Sequence, residues 1–324
     1  MATEGLARKR KGRRQRLEKP KKQYALHDCA LYGLKGVGQL ADRLLLKPEG
    51  LDALVRLEGG YKVWIKEDRP VQEALPPLRR IHRRIATLLR RIQPPDYRHS
   101  GVRSKSFISN ANQHLAPHAS LKLDISKFYP STTIHHVWKF FARRMRCAPD
   151  VAAILANLCC YQKKHLPTGG VHSEVLAFFC HKGMLDALNE RVQERGGTMT
   201  VYVDDIVVTM PGACESDLKW AQQIIEQARL TMNVRKSRVI RANAQKLITG
   251  VRVHKGKLSA PAGQHHRVKM LHQAIAENPD PSDLTQKLRS LQGHLDHIAQ
   301  IEPRYLPRAQ GHRSKNRAVL LPPR

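Results

Sequence analysis

The helical period is plain between Leu75 and Ile92, LPPLRRIHRRIATLLRRI. Leu78, Ile81, Ile85, Leu88, Leu89 and Ile92 recur every three or four residues, whereas Arg79, Arg80, Arg83, Arg84, Arg90 and Arg91 take most of the remaining circumference. The pattern predicts an amphipathic helix with an apolar inner face and a cationic outer one. No glutamate is interleaved to pair with the arginines, which argues against a merely solvated face. Upstream, leucines at helical spacing predict one or two helices between about Ala25 and Leu54, and Gly60 to Ile65 reads as a strand. Downstream, helices are expected over His135 to Ala142 and Asp150 to Cys160, then from the glycine break at Leu166 to Gly170 through about Leu188. Further helices are expected over Ser216 to Leu230, with Ser216 as N-cap, and between Arg267 and Ile301. The last dozen residues read as loose basic chain.

Two stretches carry the strand period instead. In LKLDISKFYPST, Leu121, Leu123 and Ile125 alternate with Lys122, Asp124 and Ser126, predicting a half-buried strand that holds Asp124 off the core face and ends by Pro130. In TVYVDDIVVTM, Met199 to Tyr202 and Ile206 to Met210 are both strand-like, so Asp204 and Asp205 fall at a hairpin tip. Alternating strands and helices without an internal repeat give α/β or α+β, in a chain of 324 residues long enough for two or three subdomains.

Charge narrows the class. Lys and Arg number 57 against 27 Asp and Glu, a formal charge of +30, which favours a polyanionic partner and nucleic acid above all. The run RKRKGRRQRLEKPKK, Arg8 to Lys22, reads as a basic arm. Apolar runs are too short to span a bilayer and no signal peptide is evident, so a soluble, cytoplasmic protein without membrane contact is expected. Cys29, Cys147, Cys159, Cys160, Cys180 and Cys214 show neither a disulfide framework nor a completed zinc spacing, and reduced thiols are expected.

The aspartate pair stands in a different electrostatic setting. Residues 196–218 contain no Lys or Arg, although overall composition would place about four there. Adjacent carboxylates in an apolar run need a counter-charge. A cation from elsewhere in the fold would serve, but a hard divalent metal fits better, because Mg²⁺ is held by one or two carboxylates together with substrate phosphates. If the Asp124 strand lies alongside, three carboxylates can hold two ions that activate a hydroxyl and stabilise a leaving pyrophosphate. Nucleotidyl transfer on a nucleic-acid template follows, and metal-dependent hydrolysis stays open at this point.

The same residues resemble reverse transcriptases. YVDD (Tyr202 to Asp205) is similar to that family's palm hairpin, LDISKFYPS (Leu123 to Ser131) to its first aspartate strand, and LPTGG with Ser173 to the loop and helix that align template and nucleotide; NVRKSR (Asn233 to Arg238) follows in order. ISNANQH (Ile108 to His114), LITG (Leu247 to Gly250) and RSLQGHLDHIAQIEP (Arg289 to Pro303) resemble strings of retron reverse transcriptases, and the likeness runs from about Tyr61 to Pro303. It departs at Val203, Thr168, Glu174 and Ala74, where those enzymes usually carry Ala, Gln, Pro and Pro.

The resemblance implies an α+β right-hand polymerase: basic arm 1–24, N-terminal helices and fingers 25–118, palm with inserted fingers helices 119–255, helical thumb 256–310, basic tail 311–324. It implies Asp124, Asp204 and Asp205 as catalytic metal ligands with the carbonyl of Ile125, holding two Mg²⁺, for which Mn²⁺ can substitute. Arg69, Tyr129, Gly169 and Lys236 would bind the nucleotide, Tyr129 by excluding a 2′-hydroxyl; Asn110, His114, Thr249 and Gly250 would shape RNA recognition. Expected partners are dNTPs, a structured template RNA primed from an internal guanosine 2′-hydroxyl, its DNA product, and a separate effector protein in antiphage defence. Another defence-associated or intron-related reverse transcriptase, or a non-catalytic RNA-binding protein on a polymerase fold, are the alternatives.

Overall fold

A computed structural model describes residues 23–57, 59–277 and 281–320; the predicted basic arm lies outside them except for Gln23 and Tyr24. Helices α1 (Val37–Leu44) and α2 (Pro48–Val55) bury Leu40, Ala41, Leu44 and Leu51, and lead into the hairpin β1 (Tyr61–Lys66) and β2 (Arg69–Ala74). Its turn residues Glu67 and Asp68 both have positive φ, the backbone a two-residue hairpin demands. Helix α3 (Pro76–Leu89) follows, and every apolar residue of the predicted stripe is buried.

The arginines of α3 are less free than the sequence implies. Arg79 pairs with Glu73 of β2 at 2.7 Å, Arg84 donates to the carbonyl of Arg43 and Arg90 to that of Val171, and Arg91 stacks over Tyr24 at 4.8 Å. A carboxylate absent from the helix is supplied by a neighbouring strand. Arg80 and Arg83 stay exposed.

After α4 (Phe107–Asn112) comes β3 (Ser120–Asp124), which stops at Asp124 rather than running to Pro130. Lys127, at φ +47°, turns the chain into a single helical turn, α5 (Phe128–Ser131). Helices α6 (Ile134–Lys139), α7 (Pro149–Cys159), α8 (Ser173–Cys180) and α9 (Lys182–Glu194) separate β3 from the hairpin β4 (Thr198–Tyr202) and β5 (Asp205–Thr209). The helix expected through Leu188 is thus two, broken at His181, whose buried ring meets the Thr132 hydroxyl at 3.0 Å. Helix α10 (Glu215–Gln227) has its N-cap at Cys214, two residues before the expected cap: Ser216 lies inside it, and Asp217 accepts from the Cys214 N–H at 3.0 Å.

With β6 (Arg238–Ile240), the central sheet is antiparallel in the order β4-β5-β3-β6. A second sheet of β7 (Lys246–Ile248), β8 (Val251–His254) and β9 (Lys257–Ser259) precedes α11 (Ala262–Glu277) and α12 (Pro281–Ile301). The chain then departs from the loose tail expected. Helices α13 (Leu306–Lys315) and α14 (Arg317–Leu320) pack on α12, with Ala309 buried, Arg313 paired with Asp296 at 2.6 Å and His312 with Gln292 at 2.8 Å. All six cysteines are unpaired, and no helix among the described residues is long and apolar enough to cross a membrane.

Candidate active site

Strand register brings the carboxylates together. Asp124, the last residue of β3, lies opposite Asp205, the first of β5, and Asp204 occupies the turn before it. Val203 holds that turn at φ +61°, a left-handed conformation that costs a β-branched residue roughly 1–3 kcal/mol and persists because the β4–β5 ladder imposes it.

Burial raises the Asp204 pKa, and the adjoining Asp205 and Asp124 charges push the same way. A hydrogen bond to its own backbone N–H and the charge of Arg69 oppose them. The positive charge missing from residues 196–218 returns from β3 and from the turn before Arg238. Lys122, two residues before Asp124 and so on the same face of β3, reaches Asp205 diagonally at 3.3 Å, and Lys236 stands 3.9 Å from Asp124. Lys122 and Lys236 are thus the cations from elsewhere in the fold that the sequence left open beside a metal.

In donor chemistry the three carboxylates suit a hard divalent cation. Their arrangement is open: among the described residues no three His, Cys, Asp or Glu groups converge as a ready metal-binding cluster. Ile125 pairs with Met232 through bonds from Ser126 N–H to Thr231 and from Asn233 N–H to Asp124, a pairing that leaves the Ile125 carbonyl unused.

Other predicted residues gather around this end of the sheet. Arg69 opens β2 and acts electrostatically on Asp204. The Tyr129 pKa is raised by burial, then by the charges of Glu174 and Asp204, so its hydroxyl lies within electrostatic reach of both. Gly169 has a different constraint from the one expected. Its N–H donates to the Gln72 carbonyl at 3.1 Å, and a Cβ there would lie 2.7 Å from that oxygen, so the missing side chain lets the loop dock on β2. Thr168 joins the same contact, bonding Pro70 and Gln72.

The residues expected to shape RNA recognition form a separate group, and two are corrected. His114 is fully buried, its ring nitrogens bonded to Thr209 at 2.9 Å and Thr200 at 2.8 Å; burial, then the charges of Lys246 and His99, push its pKa down to about 3. Asn110 is also buried, and its Nδ2 reaches the Thr249 hydroxyl at 3.3 Å. Neither presents a surface to RNA. Both pin α4 to the sheets. Thr249 and Gly250, at φ +45° and +80°, form the two-residue turn between β7 and β8, which requires left-handed backbone at both positions.

Sequence reasoning missed Lys122, Arg98 and the partners of Glu174. Lys122 was legible in principle, since residues two apart on a strand share a face. Arg98 carried no signal at all, because a fully buried arginine looks like any other in a basic chain.

A four-stranded antiparallel sheet that presents three carboxylates at one end, with helices inserted between the strands that carry them, defines a right-hand polymerase. The family model described as reverse transcriptase (RNA-dependent DNA polymerase) matches residues 57–275, and the chain belongs to that family. It is 28% identical over 180 residues to the Retron Se72 reverse transcriptase of Salmonella heidelberg (strain 579083-10), a match covering 54% of this chain and 47% of that protein. The chain therefore spans about half the length of this relative. Among solved structures, apo telomerase from Candida tropicalis superposes with a TM-score of 0.50 at 11% identity, over 80% of this chain and 57% of that one. A foamy viral protease-reverse transcriptase in complex with double-stranded DNA gives 0.43 at 15% identity, over 86% and 42%. At such identities the likeness concerns fold alone.

Proposed function

We propose that the protein is an RNA-directed DNA polymerase of the retron kind, copying part of a structured RNA into DNA from dNTPs. The observation that carries this is the register Asp124 opposite Asp205 with Asp204 in the adjoining turn, inside the stretch the family model matches. Asp124, Asp204, Asp205 and the Ile125 carbonyl would hold two Mg²⁺, or Mn²⁺ in their place. When bound, the ions supply the Lewis acidity that activates a primer hydroxyl and neutralises the pyrophosphate. The chain's own residues do the rest. Arg69 pairs with the triphosphate as a forked donor, Lys236 offers charge to the departing pyrophosphate, and Tyr129 excludes a 2′-hydroxyl with its ring. Gly169 sets the loop beneath the nucleotide.

Fingers over 25–118, a palm over 119–255 and a thumb from 256 accommodate these roles, and the packing of α13 and α14 on α12 favours extending the thumb through 320. A cytoplasmic location, a covalent RNA–DNA product and a separate antiphage effector belong to the same reading and rest on the retron likeness.

The test is to purify the protein from cells carrying its native locus and treat the bound nucleic acid separately with RNase and DNase. A discrete branched RNA–DNA species, absent from an Asp204→Asn control, is expected. Bound RNA with no extension of any primed template in Mg²⁺ would assign a non-catalytic RNA-binding role, which Lys122 and Lys236 at the carboxylates would then explain. Unbranched or heterogeneous DNA would move the chain to another class of reverse transcriptase.

A further inference from the structure

Arg98 is 2% exposed, and its guanidinium meets a carboxylate and two rings of one helix. Its Nη2 donates to Glu174 Oε1 at 2.9 Å, and its Cζ lies 4.4 Å from the Phe178 ring centre and 5.7 Å from that of Phe179. All three partners are on α8, Glu174 in the first turn. The backbone on either side of Arg98 is tied elsewhere. Val201 of β4 donates its N–H to the Tyr97 carbonyl at 2.8 Å and accepts from the His99 N–H at 2.9 Å, a parallel bridge beside the strand that leads into the carboxylate turn. One residue therefore joins α8 to the catalytic hairpin.

Glu174 is held from the other side as well. Ser100 donates to the same Oε1 at 2.9 Å, and Gly101, at φ +63°, leaves room for the carboxylate: a Cβ there would lie 2.6 Å from Oε2. Such a site admits a carboxylate in one place only. Helix α8 also packs on α5, which carries Tyr129, and follows the Thr168–Gly169 loop docked on β2. The groups that would select the nucleotide thus hang on α8, and the groups that would react hang on β4 and β5.

We propose that Arg98 and Glu174 are a positioning pair that holds Tyr129 and the Thr168–Gly169 loop at a set distance from the Asp204–Asp205 turn, and so govern nucleotide binding and sugar selection. The inference rests on the polymerase reading above. The pair touches neither substrate nor ion. A buried ion pair is a poor source of net stability, but losing one partner strands the other charge, and this suits it to specifying a geometry.

The test measures KM and kcat for dNTP, and discrimination against rNTP, on a primed RNA template with the full chain. Glu174→Gln keeps the shape and removes the charge; Gly101→Ala keeps both charges and displaces the carboxylate. Both are expected to raise KM for dNTP roughly five- to tenfold and to relax rNTP exclusion, with a smaller fall in kcat, and Glu174→Asp is expected to recover part of the loss. If Glu174→Gln fails to fold, Gly101→Ala carries the test. Lower stability with KM and discrimination unchanged would overturn the proposal and leave the pair a packing element. Tyr129→Ala separates the two readings: if it relaxes sugar selection and the Glu174 and Gly101 variants do not, the positioning pair fails alone. If Tyr129→Ala changes nothing, the assigned role of Tyr129 fails, and KM for dNTP still decides the pair.

Discussion

Asp204 shares its end of the sheet with two other carboxylates, at the tip of a turn strained at Val203, and its pKa is held up by burial and by those neighbours. Asp204→Asn and Asp124→Asn are expected to lower polymerisation on the order of 10³-fold in a primed-template assay while leaving the thermal midpoint at or above wild type, since each relieves repulsion. His114 makes the opposite prediction. It bonds two hydroxyls across the β4–β5 hairpin, so His114→Ala should cost about 1–3 kcal/mol of stability in urea unfolding, and any loss of activity should follow the loss of folded protein. Buried neutral histidines also set a pH dependence. Burial pushes His114 and His181 down to about 3 and His82 and His99 to about 4, from an ordinary 6.5. The unfolded chain then binds more protons than the folded one between those values, so stability is full above about 6.5 and falls as the pH drops towards 3. Unfolding midpoints at pH 7.5 and 5 check this; His114→Ala should flatten the slope.

Among the elements, α3 and the docked loop bear most on the site. Ile85 is fully buried in the face that α3 turns inward, and Ile85→Ala is expected to cost about 2–5 kcal/mol in chemical unfolding. Gly169→Ala sets a methyl 2.7 Å from the Gln72 carbonyl and must lift the loop from β2, the strand that carries Arg69. The expected result is a raised KM for dNTP with little change in RNA affinity, measured by filter binding. Most helices and the strands β3 to β5 were legible from their apolar positions because at least one face of each is buried; β2, β6 to β9 and α4 were not, the short strands β6 to β9 holding only three or four residues each, too few to show a period. The other exceptions, the break at His181 and the helices after Leu306, fall where a buried side chain or packing on α12 overrides local composition.

Over the whole molecule, a formal charge of +30 would govern the proposed association with nucleic acid. If six to ten phosphates are engaged, affinity for a structured RNA should fall by about 10³–10⁵ between 50 and 200 mM salt, with a linear log–log slope. A shallow slope in a salt titration would mean that the charge is spent within the protein, as it is for Arg79 and Arg84 of α3.

The sequence by itself determined which chemistry is present: two adjacent aspartates between strand-like runs in a stretch without basic residues, a third on an alternating strand, an aromatic residue five positions beyond it, and a cationic surface. These are local patterns, set by side-chain period and by charge along the chain. What tertiary structure decided is which of these groups meet. Register set Asp124 against Asp205 and Lys122 diagonal to it; burial turned His114 from a candidate RNA contact into a pin; Arg98 reached across 76 residues to Glu174. Such pairings depend on how sheets and helices stack, and a contact between distant residues leaves no trace in the spacing of a single chain.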